Sequence, residues 1–139
     1  MSTAALTREE LQDKLAHSPF ITFLGLEVQN ANPEKQELTV RVQLRPEFER
    51  GRDTGQWHGG VIAALIDTVG DYGLVMLLGR PLPTINFRVD YLRPAIRTAL
   101  TLVAHVRRAG KSVGVVDVDV LNDEGNLVAV GRANYSTLA

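Results

Sequence analysis

The chain has 139 residues, 45% hydrophobic and 22% charged, with 15 Lys and Arg against 16 Asp and Glu, a net charge of −1 and no cysteine. A chain of this length buries roughly two thirds of its unfolded surface, enough for one core, so a single domain over residues 1–139 is expected. The balanced charge gives no basic footprint for nucleic acid, and the lack of cysteine excludes a disulfide framework, a thiolate zinc site and a cysteine nucleophile, in keeping with a cytoplasmic setting.

The opening MSTAALTREELQDKL carries early acids and no apolar stretch of signal-peptide length. Within this N-terminal segment, residues 1–19, a short amphipathic helix is expected over residues 7–17. Thr7 and Glu10 have the spacing of a capping box, and Leu11 and Leu15 share a stripe. Residues 20–30 (FITFLGLEVQN) end in a strand-like run, residues 32–35 read as a turn, and residues 37–44 (ELTVRVQL) alternate as a strand, which together predict a hairpin. Residues 45–57 form a polar loop without periodicity, long enough to suggest a function.

Residues 59–78 (GGVIAALIDTVGDYGLVMLL) are the longest apolar stretch. Twenty residues could span a bilayer, but Asp67 and Asp71 in the middle would each cost about 2.5 to 3.5 kcal/mol on insertion, and no basic flank supports it. The segment reads as the central helix of a core. Four further strands are expected over residues 84–92, 98–108, 111–121 and 127–138, joined by tight connections in a meander. In the third, Ser112, Gly114, Val116, Val118 and Val120 fall on one face, and Val113, Val115, Asp117 and Asp119 on the other. The expected fold class is α+β, an antiparallel sheet wrapped around one long helix.

The chemistry available is narrow. The serines, Ser2, Ser18, Ser112 and Ser136, include no G-x-S-x-G elbow, and His17, His58 and His105 have no metal spacing. Hydrolysis, if present, would rest on carboxylates and water, with no metal or cofactor. Asp67 and Asp71 are four apart and share a helix face. Desolvation and mutual repulsion would raise their pKa values and mark a functional site, whereas contact with solvent or with Thr68, Tyr72 or a neighbouring strand would make them structural. His58-Gly59-Gly60 precedes the helix, whose free N–H groups and positive dipole end can stabilise an oxyanion, or whose glycines can serve as a plain cap. Gly60 and Asp67 are seven residues apart, about 10.5 Å along a helix at ~1.5 Å per residue. One helix therefore cannot bring both to one carbonyl. If both act in one reaction, the acid must come from a second helix running antiparallel, which predicts a homodimer with two shared sites.

Trp57-His58-Gly59-Gly60, the run Val61 to Asp67, Gly70, and Tyr91-Leu92-Arg93-Pro94-Ala95 together resemble the hotdog-fold acyl-CoA thioesterases of the phenylacetate-pathway (PaaI) type, over residues 20–138. The resemblance implies a hotdog fold paired into dimers and often tetramers, with an acyl-CoA as the substrate; the reading of residues 59–78 as a core helix is what leaves no membrane partner. It implies Asp67 as general base or nucleophile, Gly60 or Gly59 as oxyanion amide, Thr84 orienting the water, Asp71 as a polar helper, and His58 as an orienting or helix-capping residue. Where many members carry Asn or Gln six residues before the His, this chain has Arg52, with Asp53 and Gln56 as possible substitutes. CoA phosphates call for cations, for which Arg93 and the cluster Arg107, Arg108 and Lys111 are the candidates. His17 and His105 are assigned structural positions only, and Trp57 packing beside the helix start. A hotdog hydratase or dehydratase, and a non-catalytic acyl-thioester-binding protein, are the alternative functions.

Overall fold

In a computed structural model, residues 4–138 are described; Ser2, the rest of the first three residues and Ala139 lie outside them. Helix α1 (Arg8–Leu15) starts at the expected capping box: Thr7 Oγ1 accepts from Glu10 N and Glu10 Oε1 from Thr7 N. A second short helix, α2 (Pro19–Leu24), which the sequence reading did not separate out, occupies the start of the 20–30 stretch, ahead of its strand-like end. Ser18 caps it, Pro19 opens it, and Gly25 closes it at φ 72°, a left-handed turn that glycine adopts without strain. The strand proper, β1 (Glu27–Asn32), begins only after that turn and forms the expected hairpin with β2 (Glu37–Val42).

The central helix α3 (Gly59–Leu78) has the predicted limits, with His58 as N-cap and Gly79 as left-handed C-cap. It is long and apolar enough to cross a bilayer, but here the sheet wraps around it: Leu65, Ile66, Val69, Leu74, Val75 and Met76 are fully buried. Strands β3 (Thr84–Tyr91), β4 (Leu100–Ala109), β5 (Val113–Leu121) and β6 (Leu127–Ser136) complete one six-stranded antiparallel sheet of order β1-β2-β4-β5-β6-β3. On β5, Gly114, Val116, Val118 and Val120 are buried as the alternation predicts, and Asp117 and Asp119 lie on the outer face.

The meander holds only for β4, β5 and β6. Strand β3 pairs with β6 at the far edge, from Thr84 opposite Tyr135 to Tyr91 opposite Ala129. The connection 92–99 is therefore not a tight turn. It passes the start of α3, latched there by Trp57 N to Ala95 O (2.9 Å), Arg97 N to Gly55 O (2.8 Å) and Trp57 Nε1 to Thr98 O (2.8 Å). Proline at 94, which has no N–H to donate, suits an extended crossing as well as a turn. This crossing brings Arg93 to the helix start and, among the described residues, leaves the outer edge of β3 unpaired.

Candidate active site

His58 caps its own helix. Its backbone is extended (φ −69°, ψ 131°) and its Nδ1 accepts from the Gly60 N–H at 2.8 Å, so Nδ1 carries no proton in this arrangement. Of the two glycine amides expected to hold an oxyanion, Gly60 thus has an internal partner. The Gly59 N–H has none among the described residues, and it stands at the positive end of a twenty-residue helix. The Tyr91 hydroxyl donates to the Gly59 carbonyl at 2.5 Å.

Two turns along, the Asp67 carboxylate accepts a hydrogen bond from Thr84 Oγ1 (2.8 Å) through Oδ1. A β-bulge makes this contact possible. Thr84 pairs with Tyr135 on the inner face, the register shifts by one residue at Ile85, and Asn86 pairs with Asn134 on the outer face. Without the extra residue, Thr84 and Asn86 would share the outer face. The buried Tyr135 hydroxyl donates to the Asp67 carbonyl at 2.6 Å and fits against Gly70, where a Cβ would lie 2.5 Å from that oxygen. Asp71 accepts from Leu82 N (3.2 Å) and so ties the connection after α3 back to the helix. Burial, reinforced by the nearby Asp67 charge against the opposing Leu82 hydrogen bond, raises its pKa to about 7.

Two cavities flank the first turn of α3. One, of about 420 Å³, sets Arg50, Gln56, Tyr91 and Arg93 among the apolar Trp57, Ile62, Leu92, Pro94 and Ala95, beside Gly59. The other, of about 360 Å³, is lined by Phe20, Phe23, Phe48, Val61 and Ala64 next to His58 and Gly60. The aromatic wall is held by Phe48 stacked on Trp57 (5.6 Å between centroids), Phe23 edge-on to Phe48 (5.7 Å), and the Arg45 guanidinium over both phenyl rings. Of the residues expected to bind substrate, Gln56 and Arg93 line the first cavity. Arg52 lines a separate recess of the 46–53 loop. Arg107 is on the outer sheet face, where it and Arg132 hydrogen-bond Asp117, whose carboxyl is held down at about 2. Arg108 and Lys111 are exposed at the β4–β5 turn, beside the C-terminal half of α3, where Gly114 packs on Leu74. Within one chain these three are not brought to Gly59. His17 lies at the exposed end of α1 and His105 on the outer face between Glu37 and Asp119. Trp57 is buried, as a packing residue should be.

The family model of the Thioesterase superfamily matches residues 54–129, the stretch that carries the capped helix, the crossing and the sheet centre. The chain belongs to the thioesterase superfamily. It is 31% identical over 140 residues to the medium/long-chain acyl-CoA thioesterase YigI of Escherichia coli, covering 86% of this chain and 85% of that protein. It is 29% identical over 106 residues to the mouse acyl-coenzyme A thioesterase 13, covering 74% and 73%. Among solved structures, the E. coli PaaI protein of the phenylacetic acid degradation operon superposes with a TM-score of 0.81 at 23% identity over 94% of this chain and 92% of that one. The hotdog fold expected from the sequence is therefore the fold of this thioesterase.

For a thioester hydrolase, three features of the helix start were not legible as site residues. Arg50 sits in the aperiodic loop, and Tyr91 reaches Gly59 only through the pairing of β3 with β6. The aromatic cavity depends on α2, which the Ser18-Pro19 pair, a cap followed by proline at the first helical position, could have signalled. Among the described residues no group of three or more His, Cys, Asp or Glu is placed to hold a metal ion.

Proposed function

We propose that this thioesterase hydrolyses acyl-CoA to free acid and CoA at two equivalent sites shared across a homodimer. The observation that carries the reading is the pair of cavities flanking Gly59 and Gly60, one mainly aromatic and apolar, the other mixed and containing Arg50 and Arg93. An acyl-CoA is likewise apolar at one end and phosphate-bearing at the other, with its thioester between, so each half has a cavity of matching character. The names of YigI and of the mouse relative support the same substrate class.

In this reading the Gly59 N–H receives the thioester oxygen and stabilises the charge that grows on it during attack. Asp67 acts as general base toward water or attacks the carbonyl itself; Thr84 holds Oδ1, which leaves Oδ2 to face the reacting atoms. Gly59 and Asp67 are eight residues apart on α3, about 12 Å at ~1.5 Å per residue, so the carboxylate at each site comes from the partner. His58, with Nδ1 engaged by its own helix, is poorly arranged as the proton shuttle of a hydratase. Thiol release measured over acetyl-, octanoyl-, palmitoyl- and phenylacetyl-CoA tests the proposal. Hydrolysis is expected for at least one, lowered about 10²- to 10⁴-fold in a folded Asp67→Asn variant, the range lost with a general base. Full activity in that variant would overturn the mechanism, and tight binding of all four without hydrolysis would favour the binding-protein reading.

A further inference from the structure

We propose that Tyr91 is a positioning residue, which aims the Gly59 amide at the thioester oxygen by clamping the peptide unit next to it. The proposal rests on the reading of Gly59 as oxyanion donor. The Gly59 carbonyl and the Gly60 N–H are the two ends of one planar peptide. The carbonyl end accepts from the Tyr91 hydroxyl at 2.5 Å, and the N–H end donates to His58 Nδ1 at 2.8 Å. A plane held at both ends cannot rotate about its long axis. Two successive glycines would otherwise be the most permissive dipeptide in the chain, so a device that removes this freedom acts where pre-organisation of an oxyanion donor is most at risk.

The ring adds to the clamp. A Cβ on Gly59 would stand 3.3 Å from Tyr91 Cζ, so the phenol lies against the glycine itself. Yet Tyr91 remains 53% exposed, facing the cavity that contains Arg50 and Arg93, which is not the environment of a residue kept only for packing. The hydroxyl stays a donor at neutral pH, since burial pushes its ionisation above the ordinary phenol value. The clamp also links distant parts of the chain: β3, which supplies Thr84 to Asp67 at its first residue, supplies Tyr91 to Gly59 at its last.

Tyr91→Phe removes one oxygen and keeps the ring, so folding is not at stake. With the fastest substrate of the four acyl-CoAs, kcat is expected to fall about 10-fold, less than the 10²- to 10³-fold lost when an oxyanion donor is deleted, while KM stays within about twofold. A raised KM with unchanged kcat would assign Tyr91 to ground-state binding and overturn the proposal. A second readout needs no turnover. The same acyl-CoA, 13C-labelled at the thioester carbonyl, is bound to Asp67→Asn and its C=O stretch recorded by difference infrared spectroscopy. A shift to lower frequency relative to water, partly reversed in Asp67→Asn/Tyr91→Phe, is expected. A shift that Tyr91→Phe leaves untouched sinks the positioning role and keeps Gly59 as donor; no shift in either protein removes the oxyanion reading on which the role depends.

Discussion

Asp67 and Asp71 lie one turn apart on the same stripe of α3, and their neighbours give them different tasks. Asp67 meets a hydroxyl, Thr84 Oγ1, that leaves one carboxylate oxygen without a hydrogen bond among the described residues, whereas Asp71 is turned to the backbone of Leu82 and raised by burial to about 7. Replacing Thr84 by Val keeps the shape and removes the hydrogen bond to a charged acceptor, worth about 1.5–3 kcal/mol, so kcat for thiol release is expected to drop about 10- to 100-fold. For Asp71 the sign follows from the folded pKa lying above the unfolded value. Between about pH 4 and pH 7 the folded chain holds a proton that the unfolded chain has released, so stability falls as pH rises through this window and levels off above it. Urea unfolding at pH 5 and pH 8 should show wild type losing about 2–3 kcal/mol more than Asp71→Asn, at 1.36 kcal/mol per pKa unit. Equal losses in the two proteins would mean that Asp71 does not carry the dependence. Both acids stood out in the sequence because charge on an apolar helix is conspicuous. Their different roles did not, because Thr84 and Leu82 approach them through tertiary structure.

At the scale of elements, legibility followed the strength of local pattern. The twenty-residue apolar run of α3, closed by a cap and a left-handed glycine, and the alternation of β5 both carry their structure in consecutive residues. Helix α2 spans six residues, too few to show a period, and its Phe, Ile and Thr favour a strand. The bulge at Ile85 and the crossing over residues 92–99 have no local signature, because each is set by what β3 pairs with. The packing of α3 against β6 gives a testable contact. Gly70 leaves room for the Tyr135 hydroxyl, which holds the Asp67 carbonyl. Gly70→Ala is expected to destabilise the fold by about 1–3 kcal/mol through overpacking. Because the Cβ meets the hydroxyl and not the ring, Gly70→Ala/Tyr135→Phe should be less destabilised than the sum of the two single variants. A double-mutant cycle in urea reads this directly, and strict additivity would show that the two residues do not share that space.

The whole molecule has features that one chain does not satisfy. Strand β3 presents eight residues of edge with no partner on its outer side among the described residues, and Ile85 and Phe87 on it are 54% and 39% exposed. An unpaired strand edge with exposed apolar side chains invites a second chain. On α3, the small and acidic residues Gly60, Ala64, Asp67 and Asp71 form the stripe that the sheet does not fully cover, which lets another helix approach closely. A two-fold axis near β3 would answer both needs and would set one chain's Asp67 beside its partner's Gly59. Subunit mixing decides the matter. Asp67→Asn removes the carboxylate. Gly59→Pro removes the N–H at the first helical position, where proline suits the backbone and the extended His58 can precede it, and its Cβ, 3.3 Å from Tyr91 Cζ, requires the exposed ring to shift by a few tenths of an ångström. Each homodimer should be nearly inactive. After exchange at equal concentrations, half of the dimers are mixed and each contains one intact and one doubly defective site, so about a quarter of wild-type activity should return. If both groups instead came from a single chain, every site in the mixture would lack one of them, and exchange followed by native mass spectrometry would show mixed dimers with no recovered activity.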